Sequence, residues 1–471
     1  MAQSYDLTKG RETPLILKFF FPLFMTNLLQ QFYSIADTAI VGKGLGDDAL
    51  AAVGNMSSLS FLIVGFSVGL SNGFSVSIAQ KYGAGAYERL RKCVASTIKL
   101  SLFIAILLTI LSNVFLSRLL LLLQTDSSIM ADGLLYGHII FGGLIVTIAY
   151  NVCASILRAL GDSKTPFFAI VASTIINLVL NCVFIFILGS GVEGAAAATV
   201  FSQVISTLVC LRKIRRIEII RLTRADFATD LRMYGELFSN GLPMALMNSI
   251  TAVGCMVVQY FVNGLGVAYT SAYSACSKYI NLFMQPGCTA GITMSSFTGQ
   301  NYGAGKYHRI RRGLFACLGI AFTFYMIAGA VMVLFPTQLA GLMLNGADSI
   351  ALAVQFLPVC GTMMIIVDFL FVFRSGVQAM GNPLIPMISG IGEMIMRIAV
   401  ILFFIPRVGF MATAYAEIAA WSIAFLLNFT AFWVILGRKI KASDTGQVNN
   451  SWASHLKKSI KNLQKRKIKT I

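Results

Sequence analysis

A chain of 471 residues that is 57% hydrophobic and 12% charged is not a water-soluble globule, in which about one residue in four is charged. Its net charge of +18 would suit a nucleic-acid binder, but the basic residues sit in short loops between long apolar runs, so lipid is the solvent and nucleic acid is excluded as a partner. The nine cysteines are scattered through those runs without a CxxC or a metal-ligand spacing, so neither a disulfide framework nor a zinc site is indicated.

A polar start, residues 1–13, leads into a first apolar run that lacks the make-up of a cleavable signal peptide. Runs long enough to span follow near 15–41, 50–80, 93–123, 130–159, 166–188 and 194–211. Six more lie near 236–262, 268–299, 313–343, 350–379, 384–406 and 411–436. Their length and continuity lack the alternation of strands. The expected fold is an all-α membrane protein with twelve transmembrane helices.

The chain repeats itself. Gln80-Lys81-Tyr82-Gly83-Ala84-Gly85 recurs as Gln300-Asn301-Tyr302-Gly303-Ala304-Gly305, 220 positions further on. Leu157-Arg158-Ala159-Leu160-Gly161 with Pro166 is answered at the same offset by Val377-Gln378-Ala379-Met380-Gly381 with Pro386, and Gly44-Leu45-Gly46 by Gly264-Leu265-Gly266. Three matches at one offset mark a duplicated unit. Six spans per half is an even number, so both halves enter the membrane from the same side, and the two bundles are related by a pseudo-two-fold along the membrane normal. The divisions are a bundle over 12–211, a basic linker over 212–232, a second bundle over 233–438 and a basic tail over 439–471. One set of loops carries Lys81, Arg89, Arg91, Lys92, Arg158, Lys164, Lys306, Arg309, Arg311 and Arg312, and the other only Lys43, Arg118 and Arg407. That asymmetry places both termini and the linker in the cytoplasm. The linker reads most simply as a solvated connector. In the tail, Trp452, Leu456, Ile460 and Leu463 fall at helical spacing among lysines, which suits either a helix on anionic lipid or a solvated tail.

Ionisable groups inside a span are costly and therefore few. Asp37 lies in the first run, and its repeat mate is Val257. It is either an acid close enough to the surface to stay solvated or a carboxylate that takes a proton or a cation. Asn177 and Asn181 share a helical face, as oxygen ligands or as interhelical hydrogen bonds; Asn151 and Thr199 are further polar candidates. In the second half Glu393 and Arg397, four apart, are expected to neutralise each other as a structural pair. Asp368 and Glu417 have the uncharged mates Ile148 and Ala197. Either acid could face a cleft and attract a cation; Asp368 could instead pair with a neighbouring base, and Glu417 could be solvated near the end of its span. Pro22 and Pro243 mark possible kinks in the first span of each half. Methionines such as Met244, Met247, Met363 and Met394 suit an adaptable site, or ordinary packing. No catalytic constellation and no phosphate-binding GxxxxGK[ST] loop is present, so the chain is not expected to be an enzyme or an ATP-driven pump.

The chain resembles the multidrug and toxic compound extrusion (MATE) family of secondary transporters, from about Pro14 to Arg438. The resemblance is carried by Tyr33-Ser34-Ile35-Ala36-Asp37-Thr38 with Gly42, by Leu45-Gly46 with Ala49-Leu50-Ala51-Ala52-Val53-Gly54, by both GAG repeats, by Leu157-Arg158-Ala159-Leu160-Gly161-Asp162 with Lys164-Thr165-Pro166, and by Gly191-Val192-Glu193-Gly194-Ala195-Ala196. It implies a plasma-membrane antiporter, a monomer with no cofactor, that exports amphipathic, often cationic small molecules against inward H⁺ or Na⁺. It also implies that Asp37 is central to an N-terminal cation site with Tyr33, Asn151, Asn177 and Thr199 around it, and that Pro22 is a first-helix kink. Many family members carry Asp where this chain has Asn181; one carboxylate fewer favours H⁺. Where members with a C-terminal cation site have a glutamate within the seventh span, this chain has only Glu236 at the span's start. A lipid-linked oligosaccharide flippase of the same superfold is the alternative; it would favour a large cationic groove.

Overall fold

The structure, a computed structural model, describes residues 6–122 and 125–445. The tail stretch Trp452–Leu463, read as either a helix on lipid or a solvated tail, lies outside the described residues. The N lobe comprises α1 (Glu12–Leu45), α2 (Asp47–Gly83), α3 (Tyr87–Leu122), α4 (Met130–Gly142), α5 (Leu144–Ala159), α6 (Lys164–Cys182) with a π-helical turn Val183–Ile187 at its end, and α7 (Val192–Arg215). The C lobe comprises α8 (Leu231–Asn263), α9 (Val267–Phe283), α10 (Gln285–Gly303), α11 (Tyr307–Leu334), the short α12 (Pro336–Met343), α13 (Ala347–Ala379), α14 (Leu384–Val408) and α15 (Met411–Asp444). No strand occurs among the described residues. Among the described residues, ten helices are long and apolar enough to cross a membrane, and α4 with α5, bent by 43°, counts as an eleventh if the pair is one span. The twelfth is α9 with α10, the repeat of α2, whose second part carries Gln285, Thr289, Ser295, Ser296, Gln300 and Asn301 and is the more polar.

Three predicted runs are therefore interrupted. The run over 130–159 breaks at Gly143, whose Cα side is filled by Val200 so closely that a Cβ would lie 2.5 Å from its Cγ2. The run over 268–299 breaks at Met284, where Pro286 opens α10 and cannot donate to the preceding turn. Pro336 ends the run over 313–343 and starts α12 in the same way. In contrast, α1 continues through Pro22 as one helix, and the Thr26 hydroxyl donates to the Pro22 carbonyl at 2.8 Å. The Asp162-Ser163-Lys164-Thr165-Pro166 stretch works as a helix start. Asp162 Oδ1 accepts from the backbone N–H of Lys164 and Thr165, at 3.1 and 3.0 Å, and Pro166 sits where a helix needs no donor.

The lobes meet along α2, α8 and α10. Gly83 packs on the backbone carbonyl of Gln300, and Gly303 on that of Gln80, at separations where a Cβ would lie 1.8 and 1.9 Å from the oxygen. Only glycine fits either place. Beside each glycine, the glutamine of the same motif bonds across the seam: Gln80 Nε2 donates to Ala379 O and Gln300 Nε2 to Ala159 O, both at 2.8 Å. The two bonds are copies of one another at the repeat offset, a reciprocal clasp. Further seam contacts are Lys81 with Glu236, Asn240 Nδ2 to Ser77 Oγ at 2.9 Å, and Asn248 Nδ2 to Gly65 O at 3.1 Å. Glu236 is thus the partner of a lysine, not a member of a cation site. Among the described residues, every hydrogen bond and ion pair between lobes lies from the level of Gly65 and Asn248 toward the basic-loop end. The lobes are held together at that end.

The chain start belongs to the other lobe. Leu7 N donates to Gln300 Oε1 at 2.9 Å, Asn301 Nδ2 to Leu7 O at 3.2 Å, and Glu12 pairs with Arg309 at 3.2 Å. Ile16, Phe20 and Phe24 of α1 pack into a core with Met294, Phe297 and Leu314, and the ring of Phe324 lies 5.0 Å from that of Phe24. The second half of α1 packs on α6. A clean assignment of 12–211 to one bundle does not describe α1, which straddles both lobes because its first three turns present aromatics to the C lobe. The linker is pinned as well. Ile217 and Ile220 are buried, Asp226 lies 3.7 Å from Arg91, and Lys99 donates to the carbonyl of Phe227. It lies along α3 instead of hanging in solvent.

Candidate functional site

Within the N lobe, α1 and α6 bring their polar faces together. Residues 33 and 37 are one turn apart on α1, and 177 and 181 one turn apart on α6, so the two pairs stack in register. Asn181 Nδ2 donates to Asp37 Oδ1 at 2.5 Å and to Asn177 Oδ1 at 2.9 Å. Asn177 Nδ2 donates to Thr199 Oγ1 of α7 at 3.3 Å, and the Tyr33 hydroxyl lies 3.3 Å from the same oxygen. Both asparagines are fully buried. Asp37 has no basic group within ion-pair distance among the described residues, and Asn181 Oδ1 is buried without a hydrogen-bond partner. The group's one charged member, Asp37, and the unpartnered Asn181 Oδ1 both offer oxygens that accept, with no cation beside them among the described residues. Such an arrangement can take up a proton or a small cation. Five of the six residues expected here, all but Asn151, form one hydrogen-bonded chain.

Beside this chain lies a cavity of about 370 Å³. Asn151 lines it, as does Tyr33, so the chain of hydrogen bonds and the cavity share a wall. The rest of the lining is mostly amides and hydroxyls, with Val64, Val68, Ile170 and Ile292 as its apolar part.

The C lobe carries a different polar group. Glu393 contacts Arg374 of α13, and Arg397 Nη2 lies 3.9 Å from its other oxygen. Arg397 bonds Glu417 of α15 through Nε at 3.1 Å and Nη2 at 3.0 Å. The expected Glu393–Arg397 pair is therefore the weakest link in a buried row of four charges, Arg374, Glu393, Arg397 and Glu417, that sums to zero. Glu417 is buried and bonded, not solvated at its span's end, because α15 leans on α14 and turns the acid inward. Asp368 finds no basic neighbour. It is buried against Gly287 with Oδ1 unpartnered. Arg374 is six residues on, more than a turn and a half away, and is aimed at α14.

Residues 22–183 and 243–403 match the model of the MatE family, one match in each lobe. The chain is a MATE family transporter. Among curated relatives, the probable multidrug resistance protein YoeA of Bacillus subtilis is 29% identical over 354 residues, 72% of this chain and 75% of its own. The probable multidrug resistance protein NorM of Thermotoga maritima is 23% identical over 380 residues, 79% of this chain and 81% of its own. A solved MATE transporter in an outward-facing conformation superposes with a TM-score of 0.87, covering 94% of this chain and 99% of that one at 22% identity. That likeness is one of fold, with twelve helices in two lobes.

Three features of this MATE chain escaped the sequence reading. Arg374 stands in the apolar stretch Leu370-Phe371-Val372-Phe373, and a lone arginine there was signal enough for a buried acid partner. Gln80 and Gln300 were visible as a repeated pair, but their reach across the seam was not. The lining of the N-lobe cavity draws on six helices, five of the N lobe and α10 of the C lobe through Ile292, and has no local pattern.

Proposed function

We propose that this transporter exports amphipathic small molecules, many of them cationic, in exchange for H⁺ or Na⁺, with Asp37 as the coupling carboxylate. One observation carries the reading: Asp37 is hydrogen-bonded by a neutral amide, with no basic group in ion-pair distance among the described residues, in a network whose Tyr33 lines the cavity. An acid so placed changes its charge by taking up the coupling ion. Tyr33, Asn177, Asn181 and Thr199 form the network through which that change reaches α1, α6 and α7. Asn181 in place of a second carboxylate favours H⁺. The basic-loop end faces the cytoplasm of the plasma membrane, so the lobes are held together at the cytoplasmic end and the cleft opens outward. The multidrug names of relatives in both Bacillus and Thermotoga support a small-molecule cargo. The neutrality of the C-lobe row speaks against a broad cationic groove for a lipid-linked pyrophosphate.

In this cycle the outward cleft releases the cargo while Asp37 is ionised. Uptake of the ion then favours one of two lobe arrangements, to the extent that the two bind it differently. The test is efflux of a fluorescent cation from reconstituted vesicles under a pH or a Na⁺ gradient. The expected result is that one gradient drives the wild type and that Asp37→Asn is inactive. Wild-type transport in the variant would remove Asp37 from the mechanism.

A further inference from the structure

The N-lobe cavity has one charged residue in its lining, Arg158. It stands in the last turn of α5, and no carboxylate lies within ion-pair distance of it among the described residues. A guanidinium has five N–H donors. One is used: Nη2 donates to Ser155 Oγ at 2.9 Å, and Ser155 Oγ lies 3.5 Å from Asn72 Oδ1. The other two inward arginines, Arg374 and Arg397, each hold a carboxylate. The helix dipole makes a cation tolerable at this end of α5, but does not supply acceptors for the remaining donors. Nor does the architecture require the charge. The residue 220 positions on is Gln378, a neutral amide whose Nε2 lies 3.7 Å from Met247 Sδ.

The surroundings suit an anion. Five side-chain amides (Asn27, Gln30, Asn72, Asn151, Gln203) line the cavity, together with hydroxyls, and no acid does. Amide N–H₂ and hydroxyl groups turn to donate to a negative group, which a lining with one carboxylate would repel. The volume is in the range of small-molecule sites. We propose that this cavity binds the anionic group, a carboxylate or a phosphate, of the exported compound, with Arg158 as its anchor. This rests on the export reading above and narrows it: a cargo that carries an anion is held better than the same cargo with that anion masked. Arg158 offers the planar, paired donors that carboxylate and phosphate both accept. Val64, Val68 and Ile170 then contact the apolar body of the cargo.

The test uses matched fluorescent pairs on the purified full-length protein. Rhodamine 110 has a free carboxylate and rhodamine 123 is its methyl ester; FMN is riboflavin with a phosphate. Affinities are read by fluorescence anisotropy. A charge-assisted contact predicts that the anionic member of a pair binds roughly ten- to a hundredfold more tightly. The pair that shows the preference names the group. In Arg158→Gln the two members bind alike, and Arg158→Lys keeps part of the preference because the charge remains. Equal affinity within both pairs in the wild type overturns the anion site while leaving export of cations intact, and needs no variant to fold. A preference that survives in Arg158→Gln removes Arg158 as the anchor. Failure of all four compounds to bind overturns this proposal together with the export reading.

Discussion

The clasp at the basic-loop end predicts an unequal response from its two glutamines. Gln300 is buried and serves two backbone groups, accepting from Leu7 N and donating to Ala159 O. Gln80 is partly exposed and serves one, Ala379 O. Gln300→Ala orphans the buried carbonyl of Ala159 across the seam; the Leu7 N–H, held on the C lobe itself, loses its partner in either arrangement and does not move the balance. Once the lobes part, water reaches the Ala159 carbonyl, so that penalty falls on the closed form alone. A fully buried orphaned group costs about 1–3 kcal/mol, which shifts the equilibrium toward parting by roughly ten- to a hundredfold. Gln80→Ala orphans one group that water can partly reach, and shifts it by roughly tenfold or less. Hydrogen exchange at the backbone amides of residues 76–83 and 296–303 reports the opening. Exchange should quicken in both variants, and far more in Gln300→Ala. Unchanged exchange in Gln300→Ala, or a larger effect from Gln80→Ala, would refute the idea that these bonds hold the seam.

The C-lobe row of charges makes a ranking. Glu393→Gln leaves Arg374 and Arg397 to share one acid, Glu417, that touches only Arg397, so it should destabilise by about 3–5 kcal/mol. Glu417→Gln leaves Arg397 with Glu393 still 3.9 Å away and should cost less; thermal unfolding in detergent reads both, and the reverse order would contradict the geometry. The linker predicts a pH effect. Burial pushes the Asp226 carboxyl up, but bonds from the backbone and hydroxyl of Thr223 and the charges of Arg91 and Lys92 outweigh it and hold it below its ordinary value. A depressed carboxyl stabilises the docked linker above its unfolded-state value and loses that contribution as pH falls through the docked one. Protease cleavage near residues 217–228 should therefore rise on acidification into the carboxylate range in wild type, and be high and nearly pH-independent in Asp226→Asn.

Much of this was legible because duplication and helical spacing are both linear in sequence. The shared offset of the two GAG stretches marks two equivalent lobes, and the four-residue spacing of Asn177 and Asn181 puts them on one helical face. What spacing cannot give is the partner across a gap. Glu393 and Arg397 looked like mates because they are four apart, yet each has a nearer partner on another helix. Asp368 looked in need of a base and has none. The break at Met284 is marked by Pro286, whereas the one at Gly143 lies in smoothly apolar sequence and depends on Val200, nearly sixty residues away. The straddling of α1 was hidden because its aromatic half reads like any other lipid-facing run.

That straddling makes α1 a lever with its two ends gripped by different bodies. Its start is tied through Leu7 and Glu12 to the C lobe, and its far end through Asp37 to α6 of the N lobe. When the lobes rotate against each other, neither grip can follow both, so the torque concentrates between Phe24 and Tyr33. Pro22, with one backbone bond already missing, lies at the edge of that segment and is where the rod yields most cheaply. A twist there turns the Asp37 end relative to Asn181. The mechanical path between lobe motion and the acid is thus a single helix about thirty residues long, with no relay of side chains required.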